Sequence, residues 1–149
     1  MPERRKPRSE ITPQYEDRGI FKNPLVKATV EVVPLYTHNM RNDLVFKAFH
    51  EGETEIDLVI AGRRAPLAGP LVQRLRDAWQ EANKIAAQRG RPAETDQVRV
   101  KVKVEGAWRP RFQQDTSGWQ YREHQLYAAR WMMADKSGEA KEYGLPRAF

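Results

Sequence analysis

Cations, flat rings and a strand-like alternation fall together between Val98 and Met133. Arg99, Lys101 and Lys103 alternate with Val98, Val100, Val102 and Val104. That is the period-2 pattern of a strand with one buried face, and it puts the three cations on the other face. Rings interleaved with arginines follow: Trp108, Arg109, Arg111, Phe112, Trp119, Tyr121, Arg122, Tyr127, Arg130 and Trp131. Such a set suits an unpaired nucleic-acid strand. Cations track the phosphates, and rings stack on bases at about 1–3 kcal/mol per base whatever the sequence. A guanidinium does either job. A folded core also needs filling, so some of these rings belong inside. The candidate binding residues are Lys47, Phe49, Lys101, Lys103, Trp108, Arg109, Arg111, Phe112, Trp119, Tyr121 and Arg122. Lys27 and Lys47 are expected on strands next to the lysine row. Phe46 and Phe49 have opposite parity, so one faces the core and the other is free for a groove.

Other chemistries find less support. His38, His50 and His124 have no metal-ligand spacing. Glu51, Glu53, Glu55 and Asp57 share one parity, which suits a divalent cation or, more simply, an exposed charged face. Such a row also repels phosphate. There is no Gly-rich phosphate loop and no G-x-S-x-G elbow. Ser9, Ser117 and Ser137 fall in loops or tails with no visible base. The expectation is a protein without catalytic residues, metal or cofactor.

These residues need elements to hold them. Leu25 to Val33 reads as a first strand with Val26, Ala28, Val30 and Val32 inward. Pro34 and the polar stretch from His38 to Asn42 read as a loop. Leu44 to His50 is a second strand and Glu55 to Ala61 a third, joined by the Glu51-Gly52-Glu53 turn. Leu71, Leu75, Trp79, Ala82 and Ile85/Ala86 then recur at helical spacing. Pro70 suits the first turn of that helix, with Gly90 and Pro92 at its end. Trp79 reads as a core anchor. The fourth strand leads through the Asp115-Thr116-Ser117-Gly118 turn into the fifth. Three strands, a helix and two strands make an all-β class with one inserted helix, in the order of the five-stranded OB-fold barrel.

The 149 residues suffice for one core. Residues 1–22 read as a basic flexible arm, 23–134 as the barrel domain with a helix at about 70–89, and 135–149 as a polar tail. The chain has no cysteine, so disulfides and zinc-thiolate sites are excluded. The formal charge of +6 is compatible with a polyanionic partner. The basic start is not a signal peptide. No apolar run approaches the ~20 residues of a membrane helix. A cytoplasmic protein with no membrane partner is expected.

Two stretches resemble the bacterial single-stranded DNA-binding protein family. Ile56-Asp57-Leu58-Val59-Ile60-Ala61-Gly62-Arg63 is similar to that family's third strand. Val102-Lys103-Val104-Glu105-Gly106, then Arg109, Arg111, Phe112 and Asp115-Thr116-Ser117-Gly118, resemble its V-x-V-E-G corner, R-x-R pair, nearby aromatic and D-x-S-G hairpin tip. Gln125-Leu126-Tyr127-Ala128 falls where the family has its fifth strand. The resemblance implies an OB-fold that coats single-stranded DNA with little sequence preference in replication, recombination or DNA transfer. It also implies a homo-oligomer, dimer or tetramer, and replication or recombination proteins as further partners; RNA is the alternative ligand. The chain diverges where Glu55 and Ala61 replace expected aromatics, where its helix is longer, and at its end, where Arg147 stands before Phe149 in place of acidic character. An OB-fold acting mainly through protein contacts, as an assembly subunit of a primosome-like or conjugation-type complex, is the alternative that the long helix favours.

Overall fold

Alternating valines, a bulge and one parallel pairing close the sheet. The computed structural model describes residues 25–114, 120–134 and 140–144, with 110–114, 120–123 and 140 described by backbone alone. The strands are β1 (Val26–His38), β2 (Leu44–His50), β3 (Thr54–Ile60), β4 (Val100–Gln114), β5 (Gln120–Ala134) and β6 (Ala140–Gly144). The helix α1 (Gly69–Gln88) lies between β3 and β4. The sheet order is β3-β2-β1-β4-β5-β6. Asp57, Leu58 and Val59 also pair in parallel with Gln125, Leu126 and Tyr127. That parallel step joins β3 to β5 and closes β1–β5 into a five-stranded barrel with the OB-fold's strand order. Closure leaves those strands with few free edges.

Inward positions follow the alternation. Val30 and Val32, Leu44, Phe46 and Ala48, Ile56, Leu58 and Ile60, and Val100, Val102 and Val104 fill the interior with Leu126, Ala128, Trp131 and Met133. Each large side chain contributes roughly 1.5–3 kcal/mol by leaving water. Val26 keeps the parity of Val30 but is exposed, because it sits at the strand's end opposite Gly106. Leu71 and Leu75 of α1 close the barrel with Ala68. The helix then outruns the surface it covers. Trp79 is half-buried and does not join the core, contrary to the expectation of an anchor, and Ile85 is 41% exposed.

β6 lies in the stretch expected to be a polar tail. It adds to β5 from Arg130 to Ala134. Its Tyr143 stacks on the buried Trp131, with ring centroids 6.3 Å apart and planes at 21°. One aromatic contact and a short ladder thus hold a segment of otherwise polar composition.

The β1–β2 connection is tied to the start of the helical segment by Asp43. This buried carboxylate accepts the Gly62 N–H at 2.8 Å and the Asn39 side-chain amide at 3.0 Å. Asp43→Ala leaves the half-buried Gly62 N–H without its acceptor, at about 1–3 kcal/mol, while the exposed Asn39 amide turns to water. A fall in urea midpoint with an unchanged m-value is the expected result.

Candidate nucleic-acid interface

The β4 lysines stand on the outer face of the barrel in a register that the backbone sets. Lys101 lies opposite Glu31, and Lys103 lies between Thr29 of β1 and Met132 of β5. Lys27 lies opposite Glu105, which in turn faces Arg130. Two residues along a strand are about 7 Å apart, so Lys101 and Lys103 form a short cationic row. All three lysines are exposed.

The acids nearby are already engaged. Glu105 binds Arg130 at 2.6 Å, Glu142 lies 3.9 Å from Arg130, and Glu31 lies 4.0 Å from Arg99. Lys27, Lys101 and Lys103 make no ion pair with a described residue. Each of the three carboxylates has an arginine within reach, and the lysines are left over. Lys27, Thr29, Lys103 and Met132 line a groove of about 370 Å³ on this face, with the Glu105–Arg130 pair in its wall.

The V-x-V-E-G corner has a physical reading here. Val102 and Val104 are core, Glu105 anchors the buried Arg130, and the register slips between Glu105 and Gly106. At that bulge the Tyr127 carbonyl approaches so closely that a Cβ on residue 106 would overlap it. Only glycine fits.

The β2–β3 side is different. Lys47 does not stand free: it meets Asp96 at 3.0 Å and Glu55 at 3.6 Å. Phe46 turns inward and Phe49 outward, yet Phe49 is only 6% exposed. The Arg99 guanidinium covers its ring at 4.1 Å, with the Lys47 ammonium at 5.7 Å. Arg99 is held there by both Glu53 carboxylate oxygens at 3.0 and 3.1 Å and by the Asp96 carbonyl at 2.8 Å. Arg99 therefore leaves the lysine row that its parity assigns to it. Lys47 and Phe49 are tied into an ion-pair lattice, and the face around them is rich in carboxylates. The hydrogen bond with Asp96, aided by Glu55 and opposed by burial, holds the Lys47 ammonium above the ordinary lysine value. A raised folded value means that this contribution to stability is complete at neutral pH. It fades only as pH climbs past the ordinary lysine value and through the raised one. From neutral pH upward, a thermal melt should accordingly show no loss from this Lys47 contact until strong alkali.

The remaining candidates divide by strand parity. Trp108 is half-buried against the core, 5.1 Å from the His50 ring and edge-on to His124 at 6.2 Å. Arg109 is exposed opposite Gln125. Trp131 is core and Arg130 is an ion-pair partner. Arg111, Phe112, Tyr121 and Arg122 belong to the β4–β5 hairpin, with Phe112 opposite Arg122 and Gln113 opposite Tyr121. Their side chains, and all of Trp119, lie outside the described residues. The structure thus brings together Lys101 and Lys103 with Lys27, and separates them from Lys47 and Phe49.

Among the described residues, no three His, Cys, Asp or Glu side chains gather as a metal site requires. No helix of the described residues is long and apolar enough to cross a membrane. Fold and site define the chain as an OB-type barrel with a cationic β1–β4 face. Comparison with protein-family models and with curated proteins finds no match to the chain.

Proposed function

We propose that this barrel binds single-stranded DNA without catalysis and with little sequence preference, coating unpaired strands in replication, recombination or DNA transfer. The reading rests on one observation: Lys27, Lys101 and Lys103 are exposed and make no ion pair with a described residue, on a face whose neighbouring carboxylates each have an arginine within 4.0 Å. A lysine in that position is available to a phosphate without breaking an ion pair. Arg109 continues the cationic side of β4 toward the long β4–β5 hairpin, where the motifs quoted above supply further rings and arginines. The path runs over β1, β4 and β5. The carboxylates around Lys47 and Phe49 repel a polyanion from β2 and β3. Fold likeness by itself carries no function, so the reading rests on these charges.

A fluorescence-anisotropy titration with labelled oligothymidylate tests it, with duplex DNA and RNA of equal length as competitors. Preference for the single strand supports the reading. Equal competition by duplex, or no binding at low salt, overturns it.

The exposed Ile85 and half-buried Trp79 favour a second reading, in which the far half of α1 docks onto another protein in an assembly. Under that reading Ile85→Glu should abolish complex formation, measured by sedimentation, and leave oligonucleotide affinity unchanged.

A further inference from the structure

β6 lies outside the five-stranded barrel, and it changes the shape of the face that carries the lysines. Its Glu142 is opposite Met132 of β5, which is opposite Lys103 of β4, which is opposite Thr29 of β1. Four strands thus set one row across the outer face: Thr29, Lys103, Met132 and Glu142. The adjoining row is Lys27, Glu105, Arg130 and Gly144. With β6 as a wall, the sheet face becomes the groove of about 370 Å³ described above. Met132 is half-buried, and it is the only apolar side chain of the two rows. Thr29 is exposed, and its hydroxyl makes no hydrogen bond with a described residue.

The groove is polarised from one side to the other. Lys27, Thr29 and Lys103 bring two ammoniums and a hydroxyl together, with Thr29 about 7 Å from Lys27 along β1 and about 5 Å from Lys103 across the ladder. That set suits a phosphate, because lysine and threonine are both ordinary phosphate donors. On the far side stands Glu142, whose carboxylate repels a phosphate and so leaves it the lysine side. Between the two, one strand spacing from Lys103, lies a thioether. A polarisable sulfur packs well against an aromatic ring, and a nucleobase is the ring that a nucleotide carries beside its phosphate. Met132 is not there to fill the barrel, since its neighbours Trp131 and Met133 take the inward positions.

We propose that this groove holds one nucleotide of the bound strand, its phosphate between Lys27, Thr29 and Lys103 and its base against Met132. The proposal rests on the single-stranded DNA reading above and adds two uncharged contacts to it, Thr29 and Met132. It also gives β6 a role, because without Glu142 as a wall Met132 would lie on an open sheet face. The base contact then comes from a thioether on the lysine face, while the Phe49 ring stays covered by Arg99.

Peroxide footprinting of the unaltered chain, read by mass spectrometry, tests the base contact without any substitution. Saturating oligothymidylate should slow conversion of Met132 to its sulfoxide about threefold or more, with the fully exposed Met40 as the internal reference. Affinities of three variants test the rest. Thr29→Val should bind about fivefold more weakly with an unchanged salt slope, because a hydroxyl releases no counterion. Lys27→Gln should weaken binding and flatten the slope by about 0.7. Met132→Thr should bind about fivefold more weakly. Valine and threonine both suit strands, and circular dichroism checks that each variant folds. If oligothymidylate binds and Lys101→Glu with Lys103→Glu weakens it, but Met132 oxidises equally fast in the complex and Thr29→Val binds like the unaltered chain, the groove contact is overturned and the lysine row stands. If the unaltered chain binds no oligonucleotide, both fall. Equal protection of Met132 by inorganic polyphosphate, which carries no base, also overturns the base contact.

Discussion

Replacing Lys101 and Lys103 together by glutamate should weaken oligothymidylate binding about a hundredfold at low salt. Each lysine offers a charge-assisted contact of about 1.5–3 kcal/mol, and 1.4 kcal/mol is tenfold in affinity. Two lost phosphate contacts should also flatten the salt dependence, by about 0.7 in log–log slope for each. Both side chains are exposed, so the barrel should melt as before. The informative control is Arg76→Glu with Lys84→Glu on exposed positions of α1. It changes the net charge by the same amount in a different place. If the control weakens binding equally, attraction is a property of the whole molecule and the β4 row is not a site. If only the β4 pair weakens it, the contact is local.

The largest stability effect should come from Gly106→Ala. A single methyl there meets the Tyr127 carbonyl at a fixed point of the β4–β5 register. The strands cannot part locally, because Trp108–Leu126 lies on one side of the slip and Val104–Trp131 on the other, and all four take part in the core packing. The expected loss is about 3–4 kcal/mol, or a fall of roughly 10 °C in melting temperature for a chain of this length. Gly69→Ala is the matched control. It sits in a helical conformation at φ −50° with open space around it, so the same methyl should leave the melt unchanged or slightly higher. Equal losses at both positions would mean that the bulge is not where the barrel is sensitive.

These two sites also show what could be read from the residues. The Val100, Val102, Val104 alternation and the short Glu51-Gly52-Glu53 turn are local signals, and the strands they announce are present. The order of three strands, a helix and two strands was enough to identify the barrel, because few closures satisfy it. The helix was legible at both ends to within one residue, since Pro70 and Gly90 mark it. Its far half was misread because periodicity reports which side is apolar and says nothing of where the covering surface stops. Trp79 and Ile85 continue a stripe that the barrel meets only as far as Ala78.

The surroundings of Lys47 and Phe49 were illegible for another reason. Strand parity places both outward, which is correct. What closes them are Arg99 and Asp96, some fifty residues away in the chain, and no local pattern announces such a pairing. The same nonlocal matching explains why the lysine row is informative. Arg130 is claimed by Glu105 across the β4–β5 ladder, which leaves Lys103 without an acidic partner among the described residues. β6 escaped notice because five mostly polar residues carry no strand signal before Trp131 is in place to receive Tyr143.

The affinity of the full chain for oligothymidylate, followed across a series of salt concentrations, bears most directly on the whole account. Log affinity should fall linearly with log salt, with a slope of about −2 or steeper, as expected for at least three lysines that each neutralise a phosphate at ~0.7 apiece. A flat dependence, or no association even at low salt, would contradict it, because the exposed lysines of β1 and β4 would then hold no polyanion.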